Sequence, residues 1–160
     1  MSYYNVGRRL RTSIVLVSSS TNDDAVSLNN PVPLNTKTDL IGSAASTISL
    51  SSNEITLPSG YWWYVKGSPQ VHTNDGWISY KWTDTDTVTK YGRKGFLSMQ
   101  ERAWAFGGDE LAICLLDCTT ASKTIYLNVE GFTSTTVFNS TDAVQSPNSG
   151  KTRVQIWRLG

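Results

Sequence analysis

The sequence has little of what metal and nucleophile chemistry need. Its 160 residues include two cysteines and one histidine. That pool closes no four-ligand zinc site without carboxylates, and no close ligand pairing is visible. A Ser-His-Asp triad has only His72 to draw on, and there is no G-x-S-x-G elbow to present a serine. Charge is also scarce: 17% of residues are charged, and 14 Lys+Arg against 13 Asp+Glu leave a net +1. A general nucleic-acid or polyanion binder needs a surplus of cations to neutralise phosphates, so none is expected here. No apolar run approaches the roughly 20 residues of a membrane helix, so membrane insertion is not expected. The opening Met1-Ser-Tyr-Tyr-Asn5 has no basic stretch leading into an apolar region, so the expectation is a chain made without a secretory leader. Helix-favouring blocks are nearly missing, and only Ser98 to Trp104 could form one. No cofactor and no metal are expected, and the chain reads as non-enzymatic.

What is abundant is hydroxyl. Twenty Ser and 19 Thr, with 12 Gly and five Pro, give the composition of many short strands and turns. At 17.6 kDa there is one domain's worth of chain. Strand patterns run over Thr12 to Ser18, Thr47 to Leu50, Glu54 to Leu57, Tyr61 to Lys66, Trp77 to Trp82, Thr85 to Tyr91, Glu101 to Phe106, Leu111 to Leu116, Thr124 to Val129, Thr135 to Phe138 and Arg153 to Leu159. Ser19 to Asn35 reads as an irregular connection, and Gly92-Arg93-Lys94-Gly95 as a turn. The expected fold class is all-β, a sandwich of about 8–10 strands. Residues 1–35 are read as an N-terminal arm and first strand, a docking or edge segment, and 36–160 as the sandwich domain.

Cys114 and Cys118 share parity on one strand, about 13 Å apart at roughly 3.3 Å per residue, too far to bridge and best read as buried free thiols. The aromatic strand poses a different problem. Tyr61, Trp63 and Val65 fill one face, and Trp62 and Tyr64 the other. One face can be covered by a second sheet, but the outer one stays apolar, and large exposed apolar patches usually mark interfaces. Leu111 to Leu116 is apolar on both parities and should be covered on both faces as well. Self-association about a symmetry axis meets both demands.

The segment Glu54-Ile-Thr-Leu-Pro-Ser-Gly-Tyr-Trp-Trp-Tyr-Val-Lys66 and the end Arg153-Val-Gln-Ile-Trp-Arg-Leu159 resemble the strand–turn–strand unit and closing strand of the trimeric jelly rolls similar to C1q and tumour necrosis factor, in the versions found in bacteriophage tail and virion-surface proteins. The resemblance implies a jelly-roll homotrimer whose terminal strand lies in the trimer-forming sheet. Trp62, Tyr64, Ile156 and Trp157 are then the expected trimer interface. The chain carries no upstream shaft, which favours a capsid decoration (cement) protein over a tail fibre or baseplate tip. Made in the host bacterial cytoplasm, it would sit on the virion surface with other capsid or tail proteins as partners. Tyr3, Tyr4, Arg8, Arg9 and Arg11 are the expected particle-docking residues.

Two further readings compete. Tyr and Trp faces stack on sugars, so the loop holding His72, Asn74, Asp75 and Trp77 is a candidate site for a host glycan or receptor, with Asp84 and Asp86 beside it. A polysaccharide hydrolase would pair Asp84 or Asp86 with Glu101 or Asp109 as its two carboxylates. Finally, Gly107-Gly108-Asp109-Glu110 spells the core of the diguanylate cyclase signature loop. Leu111 follows instead of an aromatic residue, and no long helices exist to build that domain, so it reads as a hairpin turn.

Overall fold

A computed structural model of the chain describes residues 14–18, 24–42, 47–72, 76–99, 104–105, 110–133, 137–138 and 152–159. Among these the strands are β1 (Ile14–Ser18), β2 (Asp24–Ala25), β3 (Thr36–Ile41), β4 (Ser49–Ser51), β5 (Glu54–Leu57), β6 (Tyr61–Ser68), β7 (Val71–His72), β8 (Gly76–Asp84), β9 (Lys90–Met99), β10 (Trp104–Ala105), β11 (Ala112–Cys118), β12 (Lys123–Phe132), β13 (Val137–Phe138) and β14 (Arg153–Leu159). The described residues contain no α-helix. Ser98 and Met99 extend β9, Trp104 opens β10, and the stretch between them lies outside the described residues.

Ten of these strands run in the order β3-β1-β14-β6-β11-β9-β8-β12-β5-β4, and four short ones form a second sheet, β10-β7-β13-β2. The long ribbon turns a corner between β11 and β9, where one described pairing, Ile113 with Arg93, joins its halves. The halves then face each other: a Cβ placed on Gly67 of β6 would lie 2.8 Å from the Trp82 ring of β8 and 3.1 Å from Leu127 of β12. This is a jelly-roll β-sandwich, as expected from the sequence.

The core follows strand parity. Trp63 and Val65 of β6, Cys114, Leu116 and Cys118 of β11, and Val154 and Ile156 of β14 point inward from one half. Ile55 and Leu57 of β5, Ile78, Tyr80 and Trp82 of β8, and Ile125, Leu127 and Val129 of β12 meet them from the other. The buried polar ends find partners: Trp63 Nε1 donates to Pro58 O at 3.0 Å, and Trp82 Nε1 to Ala112 O at 3.0 Å. Cys114 and Cys118 are free and buried on the same face of β11, and burial pushes the Cys114 thiol up to about 12.

Four features depart from the sequence reading. First, β1 is not an edge strand; it lies between β3 and β14, and Val17, Val26, Val32 and Leu34 belong to the core. Second, β3 was not expected. Its sequence, TKTDLI, buries no side chain, so no alternation marks it, and pairing with β1 makes it a strand. Third, most of the expected strand over Thr85 to Tyr91 is instead a tight turn, and only Lys90 and Tyr91 belong to a strand, the start of β9. Thr87 N donates to Asp84 O, Asp84 N to Thr89 O, and Asp86 Oδ1 accepts from the backbone of Val88 and Thr89 at 2.9 Å each. Fourth, the Gly92 to Gly95 stretch is no turn but an irregularity inside β9. The register passes from Trp82↔Tyr91 to Tyr80↔Gly95, so β9 carries two extra residues there. Gly92 has φ +63, and a Cβ on it would lie 2.0 Å from Ile113 O, so only glycine fits where β9 leaves β8 to meet β11.

The β4–β5 hairpin is built as its turn chemistry dictates. Ser52 and Asn53 both have positive φ, 50 and 69, between the paired Ser51 and Glu54. Asn53 Oδ1 also accepts from Leu34 N at 2.8 Å, tying the incoming connection to the hairpin.

Candidate functional site

A two-layer sandwich has two outward faces, and each carries an apolar feature. The first lies on β14, β6 and β11. Register places Tyr64 between Trp157 and Leu115, Trp62 between Leu159 and Asp117, and Lys66 between Gln155 and Ile113. Trp62 is 41% exposed, Leu115 55% and Leu159 40%. The Tyr64 and Trp157 rings sit 5.3 Å apart, and Lys66 Nζ lies 4.9 Å over the Trp157 ring. The face is thus graded, aromatic and aliphatic toward Trp62 and Leu159, cationic and polar toward Lys66 and Arg153. Trp62, Leu115 and Leu159 are exposed and Tyr64 and Trp157 partly so, which makes a contiguous apolar row of the kind that marks interfaces.

Of the four residues expected at a trimer interface, Trp62, Tyr64 and Trp157 share this face. Ile156 does not: it is fully buried in the sandwich core. Neighbours along a strand point to opposite faces, so Ile156 and Trp157 cannot serve one surface. Leu115, Ile113 and Leu159 complete the face and were not singled out beforehand. Their signal was present, since the apolar residues of both parities in Leu111 to Leu116 demand cover on two sides and the single chain covers only one.

The second feature lies on the opposite half of the sandwich, across β8, β9 and β12. Trp77 and Phe96 stack at 6.0 Å with 20° between their planes, and they are 40% and 37% exposed. They border an open cavity of about 510 Å³ also lined by Asn29, Ser79, Lys90, Lys94 and Glu130. Gly131 of β12 makes room for the indole: a Cβ there would lie 2.7 Å from Trp77 Cη2 and 3.3 Å from Ser79 Oγ. Trp77 therefore leans across Ser79, which is buried. Lys90 Nζ pairs with Glu130 Oε1 at 2.5 Å. Lys94 has no ion-pair partner among the described residues.

The expected glycan loop is only partly in view. Trp77 is exposed as that reading requires; the backbone of His72 lies in β7, paired with Trp104 and Val137. Asn74 and Asp75 lie outside the described residues, as do Tyr3, Tyr4, Arg8, Arg9 and Arg11 of the docking arm, Glu101, and Gly107 to Asp109. Glu110 is described, and it bridges Phe96. Lys94 and Phe96 do not stand out in the sequence because Gly92 to Gly95 reads as a turn, which breaks the parity linking them, and no sequence signal marks Lys90 or Glu130.

The carboxylates offered for glycosidic hydrolysis serve the β8–β9 turn instead. Asp84 accepts from Thr85 N at 2.7 Å and from Tyr91 Oη at 2.6 Å, and both Asp86 oxygens are engaged by Val88 and Thr89. These bonds hold both carboxyls below the usual range, led by Tyr91 for Asp84 and by the Thr89 backbone for Asp86. Neither group has the raised value of a general acid. Among the described residues no cluster of three His, Cys, Asp or Glu side chains is placed to hold a metal.

The fold and its two outer faces define a class: an all-β jelly-roll sandwich of the C1q-like kind. No protein-family model and no curated protein matches the sequence. Among solved structures the chain is similar to the globular domain of zebrafish complement 1qA protein, with a TM-score of 0.50 and 12% identity over 94% of this chain and 96% of that one. At that identity the likeness is one of fold, and the C1q-like architecture expected from the sequence is borne out.

Proposed function

We propose that this protein is a non-enzymatic structural protein of a bacteriophage virion, a homotrimeric knob on the particle surface, with capsid decoration favoured over a tail position. The observation that carries self-association is the solvent-facing row of Trp62, Tyr64, Trp157, Leu115 and Leu159 on β6, β11 and β14. A closed ring of three copies covers it without leaving an open end. The C1q-like fold is compatible with such a ring. The phage assignment is supported by the resemblance of the Glu54 to Lys66 and Arg153 to Leu159 segments to virion-surface jelly rolls. Docking is ascribed to Tyr3, Tyr4 and Val6, with Arg8, Arg9 and Arg11 adding exposed ion pairs worth about 0–1 kcal/mol each.

Light scattering on the purified protein should give about three times 17.6 kDa. Removing residues 1–12 should leave that mass unchanged while abolishing incorporation into particles. A monomer in dilute buffer would overturn the knob, and normal incorporation of the shortened chain would overturn the docking role.

A second reading, a tail fibre or baseplate tip that binds a host receptor or glycan, is favoured by one separate observation. The Trp77–Phe96 pair is open to solvent on the half of the sandwich opposite the proposed self-association face.

A further inference from the structure

The geometry points to a binding site for an acidic oligosaccharide on the outer face of β8, β9 and β12. Trp77 and Phe96 form its floor, and Lys94 receives the ligand's carboxylate. This deepens the receptor-binding reading by naming a ligand class, and it holds whether the knob sits on capsid or tail.

The argument starts from the shape of the floor. Two aromatic rings 20° from parallel and 6.0 Å apart are stacked, and their exposed parts make an aromatic shelf. A ligand that covers it needs an apolar face of its own. The cavity of about 510 Å³ falls within the roughly 300–1,000 Å³ range of small-molecule sites. Its rim is polar, with the Asn29 amide, the Lys90–Glu130 pair and the Lys94 ammonium around the shelf. A partner protein's apolar side chain would match the shelf but leave these rim groups desolvated and unpaired. A pyranose ring satisfies both halves, with axial C–H bonds on the aromatic face and equatorial hydroxyls toward the rim.

Charge then selects within the saccharides. Glu130 is neutralised by Lys90 at 2.5 Å, so the pair brings no net charge. Lys94 projects on the same strand face as Phe96, two residues before it, and no carboxylate among the described residues pairs with it. The site therefore carries one net positive charge beside an aromatic floor, which suits a uronic or sialic acid unit over a neutral hexose. Gly131 is the positioning residue: without a Cβ it lets the indole lie down over Ser79, and a methyl there would prop up the outer ring at Cη2 and Cζ3.

The probe is an array of oligogalacturonates, hyaluronan fragments and sialic acid oligomers, with malto- and cello-oligosaccharides as neutral controls and an acidic peptide as a non-sugar control. Saturable binding of at least one acidic sugar is expected, weakened about tenfold or more by Trp77→Ala or Phe96→Ala, since each removes one stacking surface. Lys94→Gln should lose the preference for acidic over neutral sugars and Lys94→Arg should keep it, while Gly131→Ala weakens binding with all rim groups retained. Unchanged strand circular dichroism and unchanged mass in solution certify each variant as folded. Binding of neutral sugars alone, binding of the acidic peptide alone, insensitivity to Trp77→Ala, or no binding by the folded wild type would each overturn the assignment. Adsorption of labelled knob to bacterial cells tests the receptor-binding reading separately. Trp77-dependent adsorption without array binding would retain a receptor site and remove the acidic-sugar class.

Discussion

Tyr91 donates its hydroxyl hydrogen to Asp84 Oδ2 at 2.6 Å, and the bond reports its own pH range. It lowers Asp84, and burial, followed by the Asp84 carboxylate, pushes Tyr91 up to about 12. The carboxylate is favoured in the folded chain, so its contribution is present above the ordinary value near about 4 and is lost as acid protonates Asp84. The neutral phenol is favoured too, so its contribution is present below about 10 and fades as Tyr91 ionises toward about 12. Tyr91→Phe should cost about 1 kcal/mol at neutral pH and flatten part of the stability loss between pH 10 and 12. Buried Cys114, also raised to about 12, leaves an alkaline decline in both proteins. Urea midpoints measured from pH 3 to 12 decide this; equal alkaline slopes in the two proteins would exclude the bond.

At the scale of elements, β9 decides how the ribbon closes. Its extra residues at Gly92 to Gly95 let one strand pair with β8 over most of its length and touch β11 at Arg93. Gly92→Ala places a Cβ on a left-handed backbone and against Ile113 O, so a loss of about 3 kcal/mol or more is expected. Thermal melting checks it, and a melting point within a degree or two of wild type would show that the corner tolerates rearrangement. The same element shows what a sequence can reveal. β14 was legible in its bounds, because Arg153 to Leu159 alternates between core and surface, but not in its faces: Ile156 was expected beside Trp157 at the interface, and the alternation places it in the core. β6 and β8 were legible from the same kind of alternation. β3 was not, because it has no buried face, and β9 was not, because Gly-Arg-Lys-Gly is spelled alike in a turn and in a bulge. The candidate site inherited that ambiguity: Trp77 stood out, whereas Lys94 and Phe96 emerged only once β9 was seen to continue.

For the whole molecule, the proposed trimer contact and the proposed ligand site lie on different outer faces, and a charge placed on each separates them. Leu115 is 55% exposed in the single chain, so Leu115→Glu should change subunit stability by no more than about 0.5 kcal/mol. In the proposed trimer the same carboxylate would leave water against a neighbour's apolar row, with Lys66, diagonal to it on β6, as the described cation within reach. Burying a charge without full compensation costs up to roughly 3–5 kcal/mol, and a threefold ring repeats that at every interface. Leu115→Glu should therefore run as a folded monomer by light scattering. Lys94→Glu, which reverses charge on the opposite half of the sandwich, should run at the trimer mass and lose acidic-sugar binding. The contrast discriminates because both substitutions introduce the same side chain on a strand. A trimer that survives Leu115→Glu moves the contact away from β6, β11 and β14, and a monomer produced by Lys94→Glu places it on the face assigned to ligand.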